Sequence, residues 1–303
     1  MDAAQTEALH PEARGLDDRP LPEIGRVLVA GQVAAAEAVQ SAVPEIAAAA
    51  EAMAQTIRQG GVIHSVAAGS SGLMAAADAQ ELGGTFSIPA SQLRIHMAGG
   101  LPDGVDMPGA TEDDTGDLEI RLADLSDRDT VIAVSASGTT PYTLAAAARA
   151  KSAGATLIAI ANNPDTPLLQ AADIAICVKT PPEVLSGSTR MGAGTAQKIT
   201  LNMMSTLMAV ALGHVHDGMM VNVKADNIKL RARAAGMVRR ITGVGAEQAE
   251  AALTATSGAV KPAVLVALGE SVAAAETLLR GTDHNLRAAL ARLNHTSNTG
   301  ETP

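Results

Sequence analysis

The chain has 303 residues, a formal net charge of −10 and 47% hydrophobic residues, enough for a sizeable core in one large domain or two modest ones. It carries no Trp, one Tyr (Tyr142) and one Phe (Phe86), so aliphatic side chains must build that core, and a bound ligand would be held by hydrogen bonds rather than by stacking. No Lys/Arg run offsets the acidic balance, which argues against nucleic-acid binding, and the single Cys177 excludes an intramolecular disulfide and fits a reducing, cytoplasmic setting.

Residues 1–20 are polar and broken by Pro and Gly, and are expected to form an extended arm. They lack the basic-then-apolar pattern of a signal peptide. From Leu21 to Gln59 the larger apolar residues recur at helical spacing, with Pro44 dividing two helices and Gly60-Gly61 closing the second. These stretches, 1–60, are read as an arm and helices preceding the main domain.

Val62 to Ala67 reads as a buried strand leading into Gly69-Ser70-Ser71-Gly72 and a helix over Leu73–Glu81. A second strand is expected over Gln92–Met97, then a glycine- and acid-rich loop over 99–116 and a helix near Leu118–Leu125. Thr130–Ser135 is a third strand. Ser137-Gly138-Thr139-Thr140-Pro141 follows, then a helix stopped by Gly154. Thr156–Ala161 is a fourth strand, Thr166–Ala171 a short helix and Asp173–Val178 a fifth strand. Strands alternating with helices imply an α/β fold, a parallel sheet covered on both faces. The arrangement is flavodoxin-like, in three layers. In such sheets ligands bind beyond the carboxyl ends of the strands, where loops 69–72 and 135–141 lie.

The stretch Gly187-Ser188-Thr189-Arg190-Met191-Gly192-Ala193-Gly194-Thr195-Ala196-Gln197-Lys198 runs into an apolar helix over Ile199–Leu212. That helix has the longest apolar run, too short to span a bilayer, so no membrane role is expected. A helix over Asn222–Arg240 completes a main domain of residues 61–240. Short helices over Ala246–Thr256, Ser271–Arg280 and Asn285–Leu293 form a small C-terminal helical appendage, 241–303, with a frayed polar end.

Three loops dense in hydroxyls and glycine offer backbone N–H groups and helix N-termini to a negative ligand. They converge on one phosphorylated or carboxylated sugar in this reading. Glu81 stands near a helix C-terminus, where the macrodipole disfavours it. Glu112-Asp113-Asp114 lies in the glycine-rich loop. Paired carboxylates can divide acid and base roles when their surroundings separate their pKa values. His64 and His96 fall on separate strands, and no cluster has metal-ligand spacing, so no metal is expected. A nucleophile elbow and a nucleotide P-loop are both missing from the sequence.

These residues resemble the N-acetylmuramic acid 6-phosphate etherases, built on the sugar isomerase (SIS) fold. The likeness rests on Gly69 to Gly72 with Asp78-Ala79-Gln80-Glu81, on Glu112-Asp113-Asp114, on Ser135 to Ser137 with Thr140-Pro141-Tyr142, and on the 187–198 stretch. It extends from Thr6-Glu7 to the Leu286–Leu290 segment. The resemblance implies a carbon–oxygen lyase of amino-sugar metabolism and peptidoglycan recycling. Such an enzyme removes D-lactate from N-acetylmuramic acid 6-phosphate to leave N-acetylglucosamine 6-phosphate, without a cofactor. It implies Glu81 as the acid protonating lactate and Glu112 as the second catalytic carboxylate. It gives Ser70, Ser71, Ser135, Ser137, Thr140, Ser188, Thr189 and Arg190 as substrate-binding residues, and a homodimer as the assembly. Leu73, Thr139 and Gly192 stand where the family usually has Arg, Arg and Lys. Two alternatives stay open: an isomerase or lyase on another, unphosphorylated amino sugar, and a non-catalytic sugar-phosphate sensor.

Overall fold

A computed structural model describes residues 5–107, 110–223 and 228–299. Its centre is a parallel sheet of β1 (Ile63–Ala67), β2 (Leu93–Met97), β3 (Thr130–Val134), β4 (Thr156–Ala161) and β5 (Ile174–Cys177), in the order β2-β1-β3-β4-β5. All five strands fall within the expected ranges, and the order is the flavodoxin-like one. The register pairs Ala67 with Val134 and Val134 with Ile160, so the carboxyl ends of β1, β3 and β4 finish level.

Strand side chains alternate between faces. Val131, Ala133, Leu157 and Ala159 pack with Leu118 of α4 (Leu118–Arg121) and the following Leu122, with Tyr142, Ala146 and Ala150 of α5 (Pro141–Ala153), and with Leu168 of α6 (Pro167–Ala171). On the opposite face α2 (Val43–Arg58) packs on β1, β3 and β5, and its Thr56 hydroxyl meets that of Thr130 at 2.6 Å. Three layers result. Small alanine faces let the helices sit close to the sheet in place of the missing aromatics.

Pro44 stands in the first turn of α2, separated from α1 (Leu21–Ala38) by a 3₁₀ turn over Val39–Ala42. By length and composition the run Leu21–Arg58 could cross a bilayer, with mean hydropathy 1.2. A 3₁₀ turn splits this run, and its second half, α2, is seated on the sheet.

The structure corrects several local expectations. Residues 69–72 are not a loop before a helix but the first turn of α3 (Gly69–Phe86), which also runs through Gly83 and Gly84. Residues 192–198 likewise belong to α7 (Gly192–Ala211). The 5–7 part of the arm is a 3₁₀ turn with Thr6 buried. Of the helix expected from Asn222, residues 224–227 lie outside the described residues, and the described part is α8 (Ile228–Thr242). A short hairpin of β6 (Val215–His216) and β7 (Met219–Met220) precedes it.

The chain divides into two compact units, Met1–Gln80 with Pro89–Leu207, and Glu81–Ile88 with Met208–Pro303. The 240/241 boundary read from composition falls inside the second unit. That unit holds its own core, in which α8, α9 (Ala246–Ala255), α10 (Val260–Ala267), α11 (Val272–Arg280) and α12 (Leu286–Thr299) bury Val238, Leu253, Val264, Leu279 and Leu286 among others. The sequence pattern does not mark α10, because Pro262 reads as a breaker. Pro262 occupies the third helical position, where a missing N–H costs nothing.

Candidate active site

The site begins where β1 and β3 part company. β1 is flanked by β2 and β3, and the chain leaves the sheet in opposite directions from the two central strands. After β1, Gly69 takes φ +52° and α3 starts at once. Its first turn therefore presents unbonded N–H groups beside the hydroxyls of Ser70 and Ser71.

After β3 the chain makes a tight hydroxyl loop. Ser135 is buried, and its Oγ accepts from the N–H of Gly138 at 3.0 Å and meets the Thr140 hydroxyl at 2.8 Å and that of Ser137 at 3.3 Å. Gly138 has φ +70°, and a Cβ there would lie 2.3 Å from the Thr166 hydroxyl oxygen. Only glycine fits that turn. Thr140 then stands at the N-cap position of α5, whose first residue is Pro141.

Between these turns lies a cavity of about 170 Å³. Its polar lining residues are Thr6, Glu7, Ser70, Ser71, Glu112, Ser135, Ser137, Thr140 and Thr189. No Lys or Arg lines it among the described residues.

Glu112 is exposed and fixed at two points. Its carbonyl accepts from the N–H of Tyr142 at 3.0 Å, which ties the acidic loop to the start of α5. Its carboxylate rests over Gly69, where an added Cβ would lie 2.8 Å from Oε1. The Tyr142 ring is fully buried, and burial pushes its hydroxyl up to about 12, so it stays protonated.

The chain matches the SIS domain family over residues 110–212, which contain Glu112, the hydroxyl loop and α7. An N-acetylmuramic acid 6-phosphate etherase of Deinococcus radiodurans is 40% identical over 294 residues, covering 95% of this chain and 96% of that relative.

The chain belongs to the N-acetylmuramic acid 6-phosphate etherase family.

A second relative, the etherase of Salmonella typhimurium (strain LT2), is 39% identical over 288 residues, 94% of this chain and 97% of its own length. The solved E. coli CFT073 protein c3406 aligns with a TM-score of 0.50 at 16% identity, over 65% of this chain and 94% of that one, and shares the fold.

Within this etherase-family chain the expected site residues separate into two groups. Ser70, Ser71, Glu112, Ser135, Ser137, Thr140 and Thr189 line one cavity. Ser188, Arg190 and Glu81 are not among its lining residues. Arg190 is exposed. Glu81 is an exposed residue of α3, three turns of helix beyond Ser70.

The N-terminus of α7 is already occupied. Its first N–H groups, of Gly192 and Ala193, donate to the buried carboxylate of Glu183. The negative group that the sequence leads one to expect there is supplied by the protein. Sequence reasoning misses two lining residues, Thr6 and Glu7. Their signal is that the family resemblance begins at Thr6-Glu7, in a segment that otherwise reads as a polar arm.

Proposed function

We propose that this protein is a carbon–oxygen lyase that cleaves the D-lactyl ether of N-acetylmuramic acid 6-phosphate, leaving N-acetylglucosamine 6-phosphate and D-lactate. One observation carries the reading: Glu112 stands at a hydroxyl-lined cavity at the sheet's switch point. The chain around it is 40% identical to a named etherase over nearly its full length.

The chemistry asks for two proton transfers. Opening the sugar ring to its aldehyde makes the C2 proton acidic. A base takes that proton, lactate leaves C3 as an acid protonates its oxygen, and water adds to the unsaturated aldehyde. We assign the base to Glu112. The acid is Glu81 by family resemblance. The seryl and threonyl hydroxyls and the first-turn N–H groups of α3 hold the phosphate. Ser188 and Arg190 enter as outer contacts of the same substrate.

A homodimer is part of this reading. α1 leaves Leu21, Val29 and Val33 exposed at 81%, 63% and 51%, apolar area that a second copy would cover. The unshared Cys177 agrees with a cytoplasmic setting.

Incubation of the purified protein with N-acetylmuramic acid 6-phosphate, with D-lactate measured enzymatically, tests the function. No release at high enzyme concentration overturns it. A second reading is favoured by the lack of a lining cation among the described residues: turnover of a related amino sugar without phosphate. Thermal stabilisation by unphosphorylated sugars alone would select that reading.

A further inference from the structure

The cavity takes one wall from the N-terminal segment. Thr6 is 3% exposed and exchanges two hydrogen bonds with Asn163. Its N–H donates to Asn163 Oδ1 at 3.2 Å, and Asn163 Nδ2 donates to Thr6 Oγ1 at 3.0 Å. Asn163 follows β4, is itself buried, and its amide also reaches the carbonyl oxygens of Ala136 and Ser137 at 3.4 and 3.5 Å. The segment is thus pinned to the hydroxyl loop. On its other side, the Ser186 hydroxyl donates to the Glu7 carbonyl at 3.4 Å. A Cβ on Gly187 would lie 3.7 Å from Glu7 Oε2. Glu7 therefore reaches the cavity from a fixed backbone, held on two sides.

The chemistry of the lining gives this carboxylate its task. A phosphate is acceptor-only and needs donors, which the hydroxyls and N–H groups supply. An ionised carboxylate is also acceptor-only and repels a phosphate beside it. The groups of an amino sugar that need acceptors are its own hydroxyls and its acetamido N–H. A sugar donor buried without an acceptor loses its hydrogen bond to water without replacement. Among the lining residues two carboxylates can accept, Glu112 and Glu7, and the first is engaged in proton transfer.

We propose that Glu7 is a specificity-determining residue, whose carboxylate accepts hydrogen bonds from the hydroxyl or acetamido N–H groups of the amino sugar while the hydroxyl loops hold the phosphate. The proposal rests on the amino-sugar-phosphate reading above. It makes the N-terminal segment a working part of the site and Asn163 its positioning residue.

Titration calorimetry on the full-length protein tests it with two probes, N-acetylglucosamine 6-phosphate and inorganic phosphate. Glu7→Gln is expected to weaken the sugar phosphate by roughly 10-fold or more, the loss of a charge-assisted hydrogen bond. Inorganic phosphate should stay within about 2-fold, because its donors are untouched. Asn163→Ala, which frees the segment, should show the same selective loss. Unchanged sugar-phosphate binding in Glu7→Gln overturns the proposal, and so does an equal loss of both probes, which would make Glu7 structural. If the wild-type protein binds phosphate but not N-acetylglucosamine 6-phosphate, the amino-sugar reading itself fails, and the proposal with it.

Discussion

Glu183 accepts the backbone N–H groups of Gly192 at 2.9 Å and Ala193 at 2.8 Å, closing the N-terminus of α7 with a carboxylate buried to 5% exposure. A negative group at a helix N-terminus is favoured by the macrodipole and by the unbonded N–H groups. Gly192 suits the contact, because a Cβ there would come within 3.0 Å of the Glu183 carboxylate and 3.3 Å of the Ala35 Cβ. Glu183→Gln removes the charge and turns one acceptor into a donor facing a donor. We expect it to lower unfolding stability by about 1–2 kcal/mol. Chemical denaturation measures this; an unchanged midpoint would exclude Glu183 as the cap.

Gly69 has φ +52° and lies directly beneath Glu112. Gly69→Ala places a methyl where the carboxylate now rests, in a backbone region that costs an L-residue about 1 kcal/mol. The expected result is a modest loss of stability with a larger loss of D-lactate release, about 10-fold or more, as the proton-transfer group is displaced. Wild-type turnover in this variant would show that the Glu112 position does not matter.

Glu112→Gln and Glu81→Gln should each lower D-lactate release by about 100-fold or more, the usual size for a lost acid or base. Both side chains are exposed, so melting temperatures should hardly move. The two variants differ in one further respect. If Glu81 serves the cavity of the partner copy, co-expressing Glu81→Gln with Glu112→Gln chains restores release through a mixed dimer carrying one intact site. Failure of mixed dimers to recover activity would assign both residues to one subunit's site.

Ser135 holds the hydroxyl loop through three contacts, to Ser137, Gly138 and Thr140. Ser135→Ala leaves the Gly138 N–H without its acceptor. We expect about 1–2 kcal/mol of lost stability and a raised KM for the phosphorylated substrate. Gly138→Ala is more severe, because its Cβ cannot coexist with Thr166 at 2.3 Å. If Ser135→Ala binds inorganic phosphate as well as wild type, the loop is not the phosphate cradle.

His64 and His96 stack with ring centroids 5.2 Å apart and join through Nδ1 of His64 and Nε2 of His96 at 3.0 Å. Burial, and then the neighbouring His64, hold His96 down to about 4, and burial also lowers His64. Both folded-state pKa values lie below the unfolded value, so the unfolded chain binds protons first as pH falls. The stability from the neutral pair is complete above about pH 6.5 and drains away toward pH 4. A melting temperature that drops across this window, and drops less in His96→Gln, is the expected outcome. A parallel profile in the variant would remove the pair as a cause. His214, also lowered to about 4 by burial, adds a slope that the variant keeps.

β3, β4 and β5 are legible as short apolar runs, β1 as a short run after Gly60-Gly61, and β2 by the alternation of Leu93, Ile95 and Met97 with Arg94 and His96, and β-periodicity needs only neighbours in sequence. The hydroxyl loop after β3 is legible for the same reason. Ser135, Ser137 and Thr140 lie within six residues, more hydroxyls than one cap requires. Helix starts mislead at Gly69 and Gly192, where glycines that resemble a loop are in fact first-turn residues.

Local pattern and contiguous motif carry the alternation of strands and helices, the hydroxyl loop after β3 and the family, and put Glu112 in the acidic loop. Which of those groups share a cavity depends on tertiary packing. It brought Thr6 and Glu7 in beside Asn163 from 157 residues away, and gave the α7 N-terminus to Glu183. The physical reason is that a cavity is a property of packing. Hydrogen bonds such as that of Thr6 to Asn163 leave no trace in the order of residues, because neither partner has any local need for the other until the sheet has formed.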